Sequence, residues 1–236
     1  MSERLARGLA AEACGSILLA ATVIGSGIMG ARLVGENTAV ALIANTGATV
    51  AVLVVLISLF APLSGAHFNP AVTLVMAFRQ RMTWMVALAY VPVQIAGCCA
   101  GAVLAHAMFE LPLVQMSTHV RSGSAQFVSE IVATFGLLLV ILGHQRGRDA
   151  PWLVALWIGA AYWFTASTSF ANPAITIARS LTDTFAGIRP LDVPLFILAQ
   201  LIGAAVAAGL CWLLFGPTSE GRKSRADQTM AVTRLR

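Results

Sequence analysis

The chain has 236 residues, 58% of them hydrophobic and only 11% charged, with a formal net charge of +5. Soluble domains carry about 25% charged residues, so this composition excludes an ordinary water-soluble fold and points to a bilayer. It also excludes a nucleic-acid partner, because no basic stripe is interleaved with aromatics.

In chain order, the ionisable residues fall into clusters separated by long gaps. Gly8 to Ala31 holds a single charge, Glu12, and the 42 residues from Asn37 to Phe78 hold none. Met82 to Phe109 has none over 28 residues, and Ser122 to Gln145 has only Glu130. Ala150 to Ala178 has none over 29 residues, and Val193 to Ser219 none over 27. A spanning helix needs about 20 apolar residues, so each gap accommodates one crossing and six transmembrane helices are expected. The first apolar run is long enough to span and carries no cleavable signal pattern.

Two of these gaps exceed a single crossing. A continuous helix from 37 to 78 would measure about 63 Å, twice the roughly 30 Å hydrocarbon core. Ser64, Gly65 and Pro70 interrupt it, and the remainder is too short to cross again, so a re-entrant half-helix is expected. The segment from Ala150 to Leu181 has the same form, with a second short helix starting at Pro173. With the N-terminus inside, 11 Lys and Arg residues fall on the inner side and 4 on the outer. That bias predicts both termini in the cytoplasm. Cys14, Cys98, Cys99 and Cys211 lie within apolar runs and read as small buried hydrophobes, not a disulfide framework.

The two halves of the chain resemble each other. Glu12 pairs with Glu130 in similar apolar contexts, Asn69-Pro70-Ala71 pairs with Asn172-Pro173-Ala174, and Gln94 and Gly97 pair with Gln200 and Gly203. This is an internal duplication, with repeat one over about 8–108 and repeat two over about 124–216. Three spans per repeat is an odd number, so the repeats are inverted, and such repeats place their shared site near the midplane. Proline at the first helical turn costs no hydrogen bond. The preceding Asn caps the helix and keeps amide hydrogens to offer to a solute. Two such N-termini meeting at the centre would repel cations.

Glu12 and Glu130 are costly in a membrane unless partnered. They read either as braces for the re-entrant loops or as a proton relay. Gln94 and Gln200 read as polar ties in the bundle, and Gly97, Gly101, Gly203 and Gly209 as sites of close helix approach. His67, two residues before the first Asn-Pro-Ala, reads either as a loop histidine bonded to backbone or as a pore-lining group near the inner mouth. His106, His119 and His144 fall at span ends or in loops, and nothing gathers them into a metal site.

With "GAHFNPAVTL", "ANPAITIARS", the paired Glu and the paired Gln in order, the chain resembles the aquaporin and aquaglyceroporin (major intrinsic protein) family over about residues 10–215. The resemblance implies an all-α membrane protein of six transmembrane helices and two re-entrant half-helices, with a pore in each subunit of a homotetramer. It further implies a second, outer constriction at four positions, which family spacing places at Thr49, Ala160, Ser169 and Ile175. Most members carry Arg at the last of these. Here the set is wider and weakly polar, so passage of neutral solutes larger than water is expected. Thr176 stands where glycerol facilitators typically have Asp. Arg179, one turn beyond Ile175, either hangs over the outer mouth or complements the half-helix dipole. The stretch from Ala178 to Pro190 is similar to a bacterial branch associated with arsenic resistance, which implies arsenite or methylated arsenicals among the solutes.

The expectation is therefore a single transmembrane channel domain over 1–216 and a polar cytoplasmic tail over 217–236, in a bacterial inner membrane. It is a passive channel for small uncharged solutes such as water and glycerol-like polyols, not an enzyme, with no cofactor and no metal. The alternatives are a proton-coupled transporter using Glu12 and Glu130, or a weakly selective ion channel.

Overall fold

The computed structural model describes residues 3–34, 37–144 and 150–216. The tail expected over 217–236 lies outside the described residues. The helices are α1 (Glu3–Val34), α2 (Thr38–Ser64), α3 (Pro70–Phe78), α4 (Trp84–Met108), α5 (Ser124–Gly143), α6 (Ala150–Phe164), α7 (Pro173–Arg179) and α8 (Val193–Phe215), and no strand occurs among the described residues. Five of them are long and apolar enough to cross a membrane, α8 together with the turn that precedes it, and α6 is a shorter apolar helix of 15 described residues. The half-helices α3 and α7 are nine and seven residues long, or about 13 and 10 Å at ~1.5 Å per residue. Each penetrates only part of the bilayer.

The duplication is visible in the packing. α1 packs on α4 and α2 as α5 packs on α8 and α6. Each half-helix touches the last helix of its own repeat and also that of the other, α3 on α4 and α8, α7 on α8 and α4. The repeats are thus interlocked. Close approach between long helices rests on glycine at equivalent places. A β-carbon on Gly97 would lie 3.0 Å from the Ala13 carbonyl oxygen, and one on Gly203 would overlap the Ile131 carbonyl. Gly209 departs from the expected pattern: it is exposed, and a β-carbon there would meet nothing within 4 Å. Cys14 is likewise exposed on the outer face of α1, while Cys98 and Cys211 are buried.

At one end of the bundle, the loop between α4 and α5 lies across the end of α7. Gln115 N donates to Leu181 O at 2.9 Å, Ser117 N to Ser180 O at 3.0 Å, and Arg189 N to His119 O at 2.7 Å. Thr118 donates its backbone and side-chain hydrogens to Asp183, which holds that carboxyl below its ordinary range. His106 is fully buried and bridges Leu113 O and Thr182 Oγ1. It thereby ties α4 to the loops that follow α4 and α7.

Candidate solute pathway

Two loops, each ending in an Asn-Pro-Ala, converge from opposite sides. They are conformational copies of each other. Gly65, Ala66 and Phe68 have φ of 90°, 51° and 48°, and Thr168, Ser169 and Ala171 have φ of 59°, 51° and 49°. These positions are four, three and one residue before the respective Asn. Left-handed backbone at non-glycine residues costs about 1–2 kcal/mol each, so something must hold it.

The two glutamates hold it. Glu12, fully buried, accepts from Ser64 Oγ at 2.6 Å, His67 N at 3.0 Å, Phe68 N at 2.7 Å and Gln94 Nε2 at 2.7 Å. Glu130, also fully buried, accepts from Phe170 N and Ala171 N, both at 2.9 Å, and from Gln200 Nε2 at 2.6 Å. Each glutamine amide spends its other hydrogen on a threonine of the half-helix. Gln94 donates to Thr73 Oγ1 and Gln200 to Thr176 Oγ1, both at 2.8 Å. Each carboxyl thus has both oxygens engaged by the loop it shapes and by its glutamine.

Left-handed backbone at Phe68 and Ala171 turns their carbonyls toward the opposite repeat. Asn172 Nδ2 donates to Phe68 O, and Asn69 Nδ2 donates to Ala171 O, both at 2.8 Å. Each Asn also caps its helix: Asn69 Oδ1 accepts from Ala71 N, and Asn172 Oδ1 from Ala174 N, both at 2.9 Å. The exchange commits one of the two hydrogens of each amide and leaves one on each. The expectation of two freely presented amides is corrected accordingly.

A cavity of about 310 Å³ runs past this pair. On α2 its wall is Thr49, Leu53, Ile57 and Ala61; on α6 it is Tyr162, Ile158, Val154 and Ala150. Both sets step by four residues, keeping one side of each helix toward the lumen, and they meet at Thr49 and Tyr162. This pair makes a hydroxyl–hydroxyl contact of 3.3 Å. Asn69, Asn172, His67, Ser169, Ile175 and Arg179 also line the cavity, and among the described residues the only cationic or imidazole side chains on its wall are Arg179 and His67. No carboxylate among the described residues lines it, because Glu12 and Glu130 sit behind the loops.

Of the four positions expected at the outer constriction, Thr49, Ser169 and Ile175 are on the wall and Ala160 is not. Ala160 is exposed on the opposite face of α6. The physical reason is helical phase: at about 100° per residue, a residue two positions from both Ile158 and Tyr162 points away from the lumen. Tyr162, buried and on the wall, stands in the place assigned to a small residue. Arg179 is buried, with its guanidinium carbon 3.4 Å from the centroid of Phe170 and its Nε donating to Ala186 O. Arg121 approaches the same ring at 5.1 Å and donates to Gly187 O. His67 bonds the side chain of Thr73 through Nδ1 at 3.1 Å and not a backbone group.

Sequence reasoning did not single out Tyr162, Thr73, Phe170 or Arg121, nor Thr176 as a partner of Gln200. The threonines were findable, because each lies four residues after its Asn.

The profile of the family described as Major intrinsic protein matches residues 1–167 and 149–235. The chain is 57% identical over 213 residues to the aquaglyceroporin AqpS of Rhizobium meliloti (strain 1021), covering 89% of this chain and 91% of that protein. A probable glycerol uptake facilitator protein of Thermotoga maritima is 30% identical over 180 residues, covering 65% of this chain and 76% of that protein. Among solved structures, the aquaglyceroporin from Plasmodium falciparum shares the fold, with a TM-score of 0.71 at 21% identity over 90% of this chain and 98% of that one.

Proposed function

The chain belongs to the major intrinsic protein family, and from that premise we propose that the cavity between its two Asn-Pro-Ala half-helices is the path of its solutes. As a member of that family it is a passive membrane channel for small neutral solutes and not an enzyme. The observation that carries the assignment of the path is the reciprocal bond between Asn69 and Ala171 and between Asn172 and Phe68 in a cavity that no carboxylate lines among the described residues. There, two helix N-termini and the remaining amide hydrogens favour oxygen lone pairs and oppose cations.

The solutes proposed are water, glycerol-like polyols and undissociated As(OH)3, which resembles glycerol in size and in its three hydroxyls. The outer wall of Thr49, Tyr162, Ser169, Ile175 and Arg179 acts as the second filter, with Arg179 supplying the cation that Ile175 does not. Glu12 and Glu130 act as loop braces, not as a proton relay. Each subunit of a homotetramer in a bacterial inner membrane carries one such pore, with both termini in the cytoplasm and His67 toward the inner mouth.

The test is a light-scattering swelling assay in proteoliposomes with water, glycerol, urea and As(OH)3. Flux proportional to the gradient, without saturation and indifferent to a proton gradient, is expected. Leu53→Trp, which fills the lumen midway along α2, is expected to abolish solute flux from correctly inserted protein. Undiminished flux in that variant places the path elsewhere.

A further inference from the structure

The position that family spacing assigns to the wall of the outer constriction, residue 160, faces away from the lumen, and an aromatic side chain the spacing does not point to takes its place. Tyr162 is 3% exposed, lines the cavity, and reaches across to Thr49, itself 3% exposed, with 3.3 Å between the hydroxyls. The bond joins α2 to α6. The remaining lumen positions are aliphatic: Leu53, Ile57 and Ala61 on α2, and Ile158, Val154 and Ala150 on α6.

Around the same end of the cavity stand two polar atoms with no protein partner among the described residues, Ser169 Oγ and Arg179 Nη1. The outer end therefore has hydroxyls from Tyr162, Thr49 and Ser169, a guanidinium, and the apolar Ile175 as its lining. A buried polar atom left unpaired costs about 1–3 kcal/mol, and both of these atoms are enclosed within the wall.

We propose that Tyr162 is the specificity-determining residue of the outer constriction. Its ring limits solute width, and its hydroxyl, shared with Thr49, gives a passing polyol a hydrogen-bonding partner. This rests on the cavity being the solute path. The ring sets the cutoff because it is the bulkiest side chain on either wall helix's lumen face, and because the bond to Thr49 restrains it. Removing the ring widens the opening, and removing only the hydroxyl keeps the width but frees the restraint. Pore diameter and the hydrogen-bonding groups lining a channel are the two levers on its selectivity.

Swelling of proteoliposomes in glycerol and in the five-carbon polyol xylitol tests this, with flux scaled to inserted protein. Tyr162→Ala is expected to raise the xylitol-to-glycerol permeability ratio by about threefold or more, a gain that misfolding cannot imitate. Tyr162→Phe should leave the ratio within about twofold of the parent while lowering glycerol flux, since size is kept and a polar partner lost. Ala160→Phe, on the outer face of α6, should leave the ratio unchanged. An unchanged ratio in Tyr162→Ala, or a reduced xylitol flux in Ala160→Phe equal to that expected of a pore-wall substitution, overturns the proposal. Leu53→Trp separates this failure from failure of the path itself: if it blocks glycerol while Tyr162→Ala leaves the ratio unchanged, the cavity is the path and Tyr162 is not its filter.

Discussion

Asn172 and Phe68, 104 residues apart, are joined by a 2.8 Å hydrogen bond from the Asn side-chain amide to the Phe carbonyl, and the inverted counterpart joins Asn69 to Ala171 at the same distance. The bond exists because Phe68 holds a left-handed φ of 48° that turns its carbonyl inward, and because Glu12 holds the Phe68 amide. One residue thus caps a helix, ties the two repeats together and lines the lumen.

Asn172→Ala removes all three at once. The cap to Ala174 and Ile175 is worth about 1 kcal/mol, and the cross-repeat bond about 1 kcal/mol more. Glycerol flux per inserted molecule and the thermal unfolding midpoint in detergent should both fall. Asn69→Ala should fall similarly, because its bonds are the symmetric set. A normal midpoint with normal flux would show that the reciprocal bonds are dispensable.

Glu130→Gln tests whether the buried carboxylates brace or relay. Glu130 faces three donors, Phe170 N, Ala171 N and Gln200 Nε2. A glutamine there turns an NH2 group toward at least one N–H, leaving buried donors unpaired at about 1–3 kcal/mol. The expected outcome is less folded protein, with the surviving fraction conducting glycerol at a rate indifferent to external pH between 5 and 8. A normally folded variant that loses pH-dependent uptake would instead mark a relay.

How far the sequence discloses this site depends on how rare its residues are in a membrane. Glu12, Gln94 and Asn69 stand out because a polar side chain inside an apolar run needs a reason, and their repetition as Glu130, Gln200 and Asn172 supplies inverted symmetry. Thr73 and Thr176 complete the same network yet are easily passed over, since threonine is tolerated in any transmembrane helix. Ala160 misleads for a different reason. Counting back from Asn172 measures distance along the chain, whereas lumen exposure depends on angle around α6, and two residues amount to about 200°. The ties of Arg121 to Gly187 and of His106 to Thr182 join residues 66 and 76 positions apart, and no local pattern encodes them.

Glycine makes the same point through stability. In the sequence, Gly203 and Gly209 look alike. In the structure, a β-carbon on Gly203 would overlap the Ile131 carbonyl of α5, while one on Gly209 would meet nothing within 4 Å. Gly203→Ala should destabilise by about 1–3 kcal/mol through overpacking, and Gly209→Ala should change stability by no more than about 0.5 kcal/mol. Urea or SDS titration of the purified protein checks the pair. Equal effects would mean that α5 and α8 can part without cost.

Ile175→Arg restores a cation where most of the family has one, into a lumen that already contains Arg179 one turn away. Ile175 is buried on the cavity wall, so the longer side chain must extend into the cavity that Tyr162 and Ser169 also line. Glycerol, and any methylated solute, should lose about tenfold in flux, while water, needing a narrower opening, should lose less. Two guanidiniums sharing one wall also repel each other, so the double variant Ile175→Arg with Arg179→Leu should recover part of the lost folding yield while keeping the narrowed selectivity. Parallel swelling measurements with water and glycerol decide it. An equal loss for both solutes in the single variant, unrelieved in the double one, would mean that the arginine blocks or unfolds the outer end and does not refine its filter.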